Sequence, residues 1–276
     1  MTGFDLDASS EVVAPWGDVG NVGAIVIDLD GVVYVDDREV PGAGEALGRL
    51  AGAYRLVFAT NNSTKTAETV AANIEASTGF PARPEQVATS GQATALAMAG
   101  SFSSAFVVGE QGLVDTLTAG GMAVTADWRA ADAVVVGLDR SLSYQKLADA
   151  ARAVRAGAAF YATNTDATYP MPDGLYPGGG AISAAIETAS GGTPIVCGKP
   201  HDEMRALIAS RVGEGDVIVL GDRPETDVAL GKAAGWITVL TLTGVVSDLA
   251  QVPPELRPDH VISSIAELPD RLARRP

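Results

Sequence analysis

Two aspartates, two positions apart, follow an apolar segment near the start of the chain. Residues 25–27 are Ile-Val-Ile, and Asp28, Leu29 and Asp30 come directly after them. Side chains two positions apart lie on the same side of an extended chain. Two carboxylates so close repel each other unless a divalent cation or a shared proton offsets their charge. A solvated strand end before a turn has the same pattern, so these residues alone leave a catalytic role open.

A second apolar segment, residues 55–59, runs into a cluster of short polar side chains. Thr60, Asn61 and Asn62 follow it directly. A hydroxyl and amides of this kind can bind the oxygens of a phosphate, although such clusters cap helices more often. The cluster alone is therefore a weak sign of phosphate binding.

Two more apolar segments end in charged side chains. Lys199 comes soon after residues 194–197, Asp222 follows residues 216–220, and Asp227 lies five positions later. Taken singly, Lys199 is typical of a surface cation with a buried stem, and Asp227 is typical of a helix cap.

The four segments together are more specific than any one of them. Open α/β sheets bind ligands at the carboxyl ends of their strands. If these segments are strands of one parallel sheet, carboxylates suited to a hard cation lie beside a hydroxyl and an ammonium group suited to phosphoryl oxygens. The sequence therefore predicts phosphate chemistry at one sheet edge.

The elements that would position these residues alternate along the chain. From residue 24, short β-branched runs alternate with segments of helical period, which predicts an α/β fold with a mostly parallel sheet. The strands predicted for one sheet are residues 24–27, 55–59, 194–197, 216–220 and 238–242. The helices predicted around it are residues 42–50, 66–77, 203–212 and 227–234, the last ending at Gly235.

The stretch between the second and third of these strands is too long for a loop. It contains strand patterns at residues 105–108, 133–137 and 160–163, and helix patterns at 112–119 and 144–156. A turn-rich stretch, residues 170–180, leads into a helix near Ala181. We therefore expect a small inserted α/β domain that covers the strand ends carrying the polar residues.

Composition narrows the possible functions and surroundings. With 34 acidic and 19 basic residues the net charge is −15, which repels nucleic acids and anionic membranes, and we expect neither as a partner. Cys197 is the only cysteine, so an intrachain disulfide is excluded and a reducing compartment fits. The sequence has no apolar run of about 20 residues, and its acidic first 22 residues do not resemble a signal peptide. We expect a cytoplasmic protein.

Four ordered motifs resemble those of the haloacid-dehalogenase (HAD) superfamily phosphatases. They are DLDGV at 28–32, the strand ending in Thr60, GKP at 198–200 and GDRPETD at 221–227. The long insert, with TNTD at 163–166 and PGGG at 177–180, resembles the C2-capped branch, subfamily IIA, which includes nitrophenyl-phosphatase-like and phosphoglycolate phosphatases. The similarity covers roughly residues 23–270.

The resemblance implies a fold and a division into domains. We expect a doubly wound, Rossmann-like core of residues 23–99 and 191–276, and a smaller α/β cap domain of residues 100–190. Residues 1–22 would form an N-terminal extension outside the match. A homodimer formed through the cap is left open.

The resemblance also implies a mechanism. Asp28 would attack phosphorus and form an aspartyl-phosphate that water then hydrolyses, while Asp30 serves as general acid and then as general base. The Asp28 carboxylate, the Asp30 carbonyl and Asp222 would hold Mg²⁺, with Asp227 orienting them.

The same resemblance assigns residues to substrate. Thr60, Asn61 and Lys199 would bind the phosphoryl oxygens, with Asn62 beside them. Candidate cap contacts to the leaving group are Asn164, Asp166 and Tyr169. The substrate would be a small phosphorylated metabolite: a sugar, polyol or nucleotide monophosphate, or phosphoglycolate. Aromatic residues make up only 5% of the chain, which favours small polyol or sugar phosphates over a stacked base.

Four alternatives remain at this point. A dehalogenase would need neither the second acid nor the metal, and a phosphomutase usually carries a differently placed cap. A phosphoryl-accepting receiver combines similar residues, but it occupies about one ordinary domain and lacks an aspartate two positions after its acceptor. A catalytically silent binding protein could share the fold.

Overall fold

Two parallel β-sheets with helices packed on them form the framework of the chain. The computed structural model describes residues 20–35, 38–171 and 174–273. The N-terminal extension predicted for residues 1–22 lies outside the described residues up to residue 19.

The elements follow one another in the alternating order that the sequence predicts. The first part of the chain contains β1 (Val22–Ile27), β2 (Tyr34–Val35), β3 (Arg38–Glu39), α1 (Ala43–Ala51), β4 (Arg55–Thr60), α2 (Ala67–Thr78), β5 (Val87–Thr89) and α3 (Ser90–Met98). The middle part contains β6 (Ser104–Val108), α4 (Gln111–Ala119), β7 (Ala123–Val124), β8 (Ala133–Val136), α5 (Tyr144–Arg155), β9 (Ala159–Ala162), β10 (Thr168–Met171), β11 (Gly174–Pro177), α6 (Gly179–Ser190) and β12 (Ile195–Val196). The last part contains α7 (Asp202–Val212), β13 (Asp216–Gly221), α8 (Ala229–Ala234), β14 (Ile237–Thr241), β15 (His260–Ile262) and α9 (Leu268–Ala273). Among the described helices, none is both long enough and apolar enough to cross a membrane.

The first sheet has six strands in the order β15-β14-β13-β1-β4-β5, and every neighbouring pair is parallel. Strand β1 lies near the middle, with Ile27 beside Leu220 of β13 on one side and Phe58 of β4 on the other. Because parallel strands end at a common edge, the residues after β1, β4 and β13 come together there. The predicted doubly wound α/β fold is confirmed.

The second sheet has five parallel strands in the order β12-β9-β8-β6-β7. The strands predicted at residues 105–108, 133–137 and 160–163 are confirmed as β6, β8 and β9. The prediction that residues 194–197 belong to the first sheet is wrong, because β12 pairs with Tyr161 and Ala162 of β9. This strand is only two residues long, and Ile195 is 47% exposed. An apolar run so short does not indicate which of two sheets it joins.

One buried cluster connects the two sheets. It runs from Val26 and Val57 in the first sheet to Val107 and Val135 in the second, and α3, α4 and α7 contribute side chains between them. The insert is therefore packed against the core across a continuous apolar interface. The hydrophobic effect stabilises this interface in proportion to the apolar area that it buries. The domain boundaries at residues 99/100 and 190/191 stay a prediction.

A π-helical turn changes the expected start of one helix. Residues 227–234 were predicted as a helix, but α8 begins at Ala229 and the turn Pro224–Val228 precedes it. Asp227 lies inside this turn and does not cap the helix. The predicted glycine end is confirmed, since Gly235 has φ +70°.

Candidate active site

A cavity of about 470 Å³ lies at the carboxyl edge of the first sheet, between it and the insert. Residues from both parts of the chain line it. From the sequence-predicted set these are Asp28, Asp30, Thr60, Asn61, Asn62, Asn164, Asp166, Tyr169, Lys199 and Asp222. The fold thus brings together residues that lie far apart in sequence.

Lys199 is buried beneath this cavity and its ammonium group has three acceptors. Its Nζ lies 2.6 Å from Asp28 Oδ1, 2.6 Å from Asp227 Oδ1 and 2.9 Å from the carbonyl oxygen of Ala59. These three contacts use all three protons of the group. Lys199 is therefore not the exposed surface cation that its position alone suggested.

Asp222 and Asp227 are held by main-chain N–H groups. The N–H of Val245 donates to Asp222 Oδ2 at 2.8 Å, and the N–H of Arg223 donates to Asp227 Oδ2 at 3.1 Å. The other oxygen of Asp222, Oδ1, is buried and has no hydrogen-bond partner among the described residues. Gly244 allows the close approach, because a Cβ atom there would lie 1.9 Å from Asp222 Oδ2.

Burial and crowding raise the pKa values of the three buried carboxyl groups. Burial raises the pKa of Asp28 from 3.8 to about 7, and Lys199 opposes this shift. Burial also raises the pKa of Asp222 and of Asp227 to about 6. For Lys199 burial acts in the opposite direction, but Asp227 and Asp28 outweigh it, so its pKa is raised. The ammonium group therefore stays charged throughout the neutral range.

The donor set fits a divalent cation. Oxygen atoms of Asp28, Asp222 and Asp227 all lie within 4.8 Å of one another. Three ionised carboxylates beside one ammonium group leave two uncompensated negative charges in a buried site, and a hard divalent cation both neutralises them and prefers oxygen ligands. Asp222 Oδ1, which has no hydrogen-bond partner within the described part of the chain, is available as a ligand atom for such an ion.

Asp30 and Thr60 occupy different parts of the cavity wall. Asp30 is exposed, whereas Asp28 two positions earlier is buried. Thr60 is also buried, and its Oγ1 accepts a hydrogen bond from the N–H of Asn62 at 3.1 Å. The two aspartates thus differ in solvent access.

The remaining predicted residues line the cavity and differ in the protein groups that they contact. Asn62 Oδ1 accepts from the N–H and the hydroxyl of Thr64, at 2.9 and 2.7 Å. Asn164 Oδ1 accepts from the N–H of Asp166 at 3.1 Å, which shapes the loop after β9. The ring of Tyr169 packs edge-on against Tyr176, with centroids 6.1 Å apart.

Sequence reasoning did not assign several residues of the cavity wall to the site. They include Lys65, Arg223, Thr243, Gly244 and Val245. The last three follow β14, a strand that was predicted, so its carboxyl end could have been searched by the rule used for the other four segments. Thr243 Oγ1 donates to the carbonyl oxygen of Gly31 at 2.6 Å and so connects this loop to the one that carries Asp30.

Comparisons with known proteins agree with this geometry. The haloacid dehalogenase-like hydrolase model matches residues 25–123, and a HAD-hydrolase-like model matches residues 196–268. D-glycerol 3-phosphate phosphatase from Mycobacterium tuberculosis is 37% identical over 246 residues, which cover 86% of this chain and 68% of that protein. The chain belongs to the haloacid dehalogenase-like hydrolases.

Other similar proteins place this HAD protein among the C2-capped phosphatases of subfamily IIA. Dihydroxyacetone phosphatase from Corynebacterium glutamicum is 35% identical over 252 residues, 88% of this chain and 89% of that protein. A crystal structure of glycerol phosphate phosphatase from M. tuberculosis in complex with magnesium matches with a TM-score of 0.84 and 34% identity, covering 92% of this chain and 78% of that one.

The predicted family and enzyme class are confirmed: this HAD protein is a phosphatase, a phosphoric monoester hydrolase. That assignment sets aside the dehalogenase, the phosphomutase, the receiver and the silent binding protein.

Proposed function

We propose that this enzyme hydrolyses small phosphomonoesters with Mg²⁺, through an aspartyl-phosphate formed on Asp28. The observation that carries the proposal is the buried cluster at the cavity, in which oxygens of Asp28, Asp222 and Asp227 lie within 4.8 Å of one another and the Lys199 ammonium group pairs with Asp28 and Asp227. Such a cluster provides a nucleophile together with ligands for the cation that a dianionic substrate needs.

Asp28 is the proposed nucleophile because it combines burial with access to the cavity. One carboxylate oxygen would form a bond to phosphorus as the bond from phosphorus to the leaving oxygen breaks. Water would then attack phosphorus, release inorganic phosphate and restore the carboxylate. Two displacements replace one difficult step.

Asp30 is the proposed general acid and base because it lies two residues away and is exposed to the cavity. In the first displacement its protonated carboxyl group would give a proton to the leaving alkoxide. In the second displacement the resulting carboxylate would accept a proton from the attacking water. One residue thus returns to its starting state in each cycle.

Asp28, the main-chain carbonyl of Asp30 and Asp222 are the proposed ligands of Mg²⁺, with Asp227 beside them. When bound, the cation would offset the repulsion between these carboxylates and the phosphoryl oxygens. Asp227 would keep Lys199 in place through the 2.6 Å contact to its ammonium group. The magnesium complex of the related glycerol phosphate phosphatase supports the choice of metal.

Thr60, the main-chain N–H of Asn61 and Lys199 are the proposed phosphoryl-binding groups, with Asn62 next to them. They lie at the end of β4 or soon after β4 and β12, and all of them line the cavity. Lys199 would exchange one of its three present contacts for a phosphoryl oxygen when substrate binds. Donors fixed before the reaction stabilise charge on the phosphoryl oxygens without having to reorganise.

The proposed substrates are phosphates of small polyols, trioses or sugars. The names of the two most informative relatives, a D-glycerol 3-phosphate phosphatase and a dihydroxyacetone phosphatase, support this class. Asn164, Asp166 and Tyr169 line the insert side of the cavity, where Asp166 and Tyr169 would supply polar contacts for hydroxyl groups. A net charge of −15 supports a small metabolite over nucleic acid or a membrane as partner. A homodimer through the insert stays a prediction.

The test is a panel of phosphomonoesters assayed with and without Mg²⁺. It should include glycerol phosphate, dihydroxyacetone phosphate, a hexose phosphate, phosphoglycolate, pyridoxal phosphate and a nucleotide. We expect turnover to require Mg²⁺ and to be fastest on the polyol and triose phosphates. Acid-quenched enzyme should carry substrate-derived phosphate that hydroxylamine releases, as an acyl phosphate does. Turnover in excess chelator, or no covalent phosphate during turnover, would overturn the mechanism.

A further inference from the structure

The side chain of Asn61 holds the main chain of Lys199 at two points. Asn61 Oδ1 accepts a hydrogen bond from the N–H of Lys199 at 2.7 Å, and Asn61 Nδ2 donates to the carbonyl oxygen of Lys199 at 3.3 Å. A side-chain amide can supply both a donor and an acceptor in one plane. This pair of contacts fixes the position and the orientation of the Lys199 backbone.

The main chain of Asn61 is itself held from two directions. Its carbonyl oxygen accepts from Ser90 Oγ, at the start of α3, at 2.7 Å, and from Asn164 Nδ2, after β9, at 2.9 Å. Ser90 belongs to the first part of the chain and Asn164 to the insert. Asn61 thus contacts the core, the insert and the segment that carries Lys199, here called the lysine segment.

Lys199 needs such a support because of where it lies in the chain. It comes soon after β12, the edge strand of the second sheet, yet its ammonium group contacts Asp28 and Asp227 at the edge of the first sheet. The segment passes close to Asn61 at Gly198, where a Cβ atom would lie 2.6 Å from Asn61 Oδ1. The lysine is therefore held at both ends by residues at the carboxyl end of β4: its ammonium group by the Ala59 carbonyl and its backbone by Asn61.

The amide group of Asn61 has little capacity left for substrate. Its Nδ2 carries two protons; one contact goes to the Lys199 carbonyl and another, at 3.5 Å, to Asp166 Oδ1. Both polar atoms of the side chain are directed at protein groups. A direct contact from this side chain to a phosphoryl oxygen would require these bonds to break.

We infer that Asn61 is a positioning residue whose side chain acts on catalysis through Lys199, and that Asn164 acts from the insert through the Asn61 carbonyl. The inference rests on the proposed role of Lys199 in phosphoryl transfer. It separates the side chain of Asn61 from its main-chain N–H, which stays a proposed phosphoryl donor. It also means that part of the insert supports the chemistry, and not substrate choice alone.

A double-mutant cycle tests this inference, because residues that act through one another are not additive. We would measure kcat and KM on nitrophenyl phosphate for Asn61→Ala, Lys199→Ala and the double mutant. Displacement of a catalytic group by about 1 Å costs about 10²-fold in rate, so Asn61→Ala should lose about that factor in kcat. In the Lys199→Ala background the same change should cost less than about twofold, since the group it positions is gone.

Asn164→Ala supplies a second variant that leaves the Asn61 side chain in place. We expect a smaller loss in kcat on nitrophenyl phosphate, again absent in the Lys199→Ala background. A loss that kept its full size in the Lys199→Ala background would show that Asn164 acts independently of Lys199 and would overturn its part of the inference.

Thr238→Ala is the matched control for lost stability. Thr238 Oγ1 donates to Asp259 Oδ2 at 2.7 Å and accepts from the N–H of Asp259 at 2.9 Å, and Thr238 does not line the cavity. This variant should lower the melting temperature and keep the wild-type kcat. If Asn61→Ala lowered kcat only in proportion to its loss of folded protein, as measured by thermal unfolding, the positioning role would be refuted.

The cycle also separates failure of the inference from failure of the proposed function. If Lys199→Ala alone kept the wild-type rate, the proposed role of the lysine would be wrong and the inference would fall with it. If Lys199→Ala lost activity but the losses of the two single mutants multiplied in the double mutant, Asn61 would contact substrate independently. Only the inference would then be overturned.

Discussion

Asp28 and Lys199 form a buried ion pair at 2.6 Å although they follow strands of different sheets. Asp28 comes directly after β1 in the first sheet, and Lys199 comes soon after β12 in the second. The proposed nucleophile and the ammonium group beside it are therefore brought together only when the two sheets pack on each other. Catalysis should depend on the packing of the insert as well as on the core.

Replacement of Asp28 by asparagine tests the nucleophile. Asp28→Asn keeps the shape of the side chain, removes one charge from a crowded site and cannot form the acyl phosphate. We expect kcat to fall by at least about 10³-fold with an unchanged circular dichroism spectrum. A variant that kept more than a few per cent of the rate would rule out Asp28 as nucleophile.

Replacement of Asp30 by asparagine tests the general acid. Asp30→Asn should still bind substrate, but it cannot give a proton to the leaving oxygen. The loss in kcat should therefore be largest for alkyl phosphates, whose leaving groups need protonation, and smaller for nitrophenyl phosphate. Comparison of the two substrates checks this, and equal losses on both would count against the assignment.

The pH dependence of Mg²⁺ binding follows from the raised pKa values of the carboxyl groups. In the metal-free protein the pKa of Asp28 is about 7, and those of Asp222 and Asp227 are about 6. At pH 6 these groups hold protons that Mg²⁺ must displace, whereas at pH 8.5 they are ionised. The affinity should therefore fall as the pH is lowered from about 8 to about 6. Titration calorimetry in two buffers of different ionisation enthalpy should find proton release at pH 6 and almost none at pH 8.5; pH-independent binding would contradict the prediction.

Removal of the lysine tests the electrostatics of the metal-free protein. Lys199→Met leaves the buried carboxylates without their ammonium partner. Removal of one partner of a buried ion pair lowers the free energy of unfolding by about 3–5 kcal/mol. Each of these carboxyl groups has a folded-state pKa raised above its ordinary 3.8. Its contribution to stability is therefore present at low pH and is lost as the pH rises through the folded value of about 6 to 7.

The deficit of Lys199→Met in the free energy of unfolding should consequently be largest near pH 8 and smaller near pH 5.5, where the carboxyl groups take up protons. Urea unfolding in the presence of chelator, at both pH values, measures it against wild type. A deficit of equal size at both values would show that the lysine contributes packing only.

Much of the site was predictable because its residues follow buried strands. The apolar runs before Asp28, Thr60 and Asp222 are buried on both faces in the structure, and such runs are typical of parallel sheets. Since parallel strands end at one edge, strand prediction alone was enough to bring these three residues together.

The sequence could not predict which sheet β12 joins or what Asn61 contacts. A two-residue strand has too few side chains to show a burial pattern. The edge strands β5 and β15 were missed for a similar reason, since each has only three residues. The contacts of Asn61 to Lys199 and Asn164 span more than 100 positions, and no local pattern encodes a hydrogen bond at that range.

Tyr169 is the insert residue best placed to affect substrate choice without affecting the chemistry. It lies on β10 at the wall of the cavity, and its ring is supported by Tyr176 of β11. Asp166 also lines the cavity, but its 3.5 Å contact to Asn61 Nδ2 links it to the lysine segment. Both residues should influence substrate ranking, and Asp166 should influence the rate as well.

We therefore expect Tyr169→Ala to change the relative kcat/KM among the phosphomonoesters of the panel by about tenfold, because it removes contact area from the leaving-group side of the cavity. Phospho-enzyme formation from nitrophenyl phosphate and the Mg²⁺ dependence should stay within about twofold of wild type. Asp166→Ala should change the same ranking and also lower kcat. Tyr144→Ala is the control, since Tyr144 is 87% exposed on α5 and does not line the cavity. If the ranking stayed fixed for Tyr169→Ala while the molecular mass in solution changed, the insert would be an interface between copies of the chain and the specificity role would be wrong.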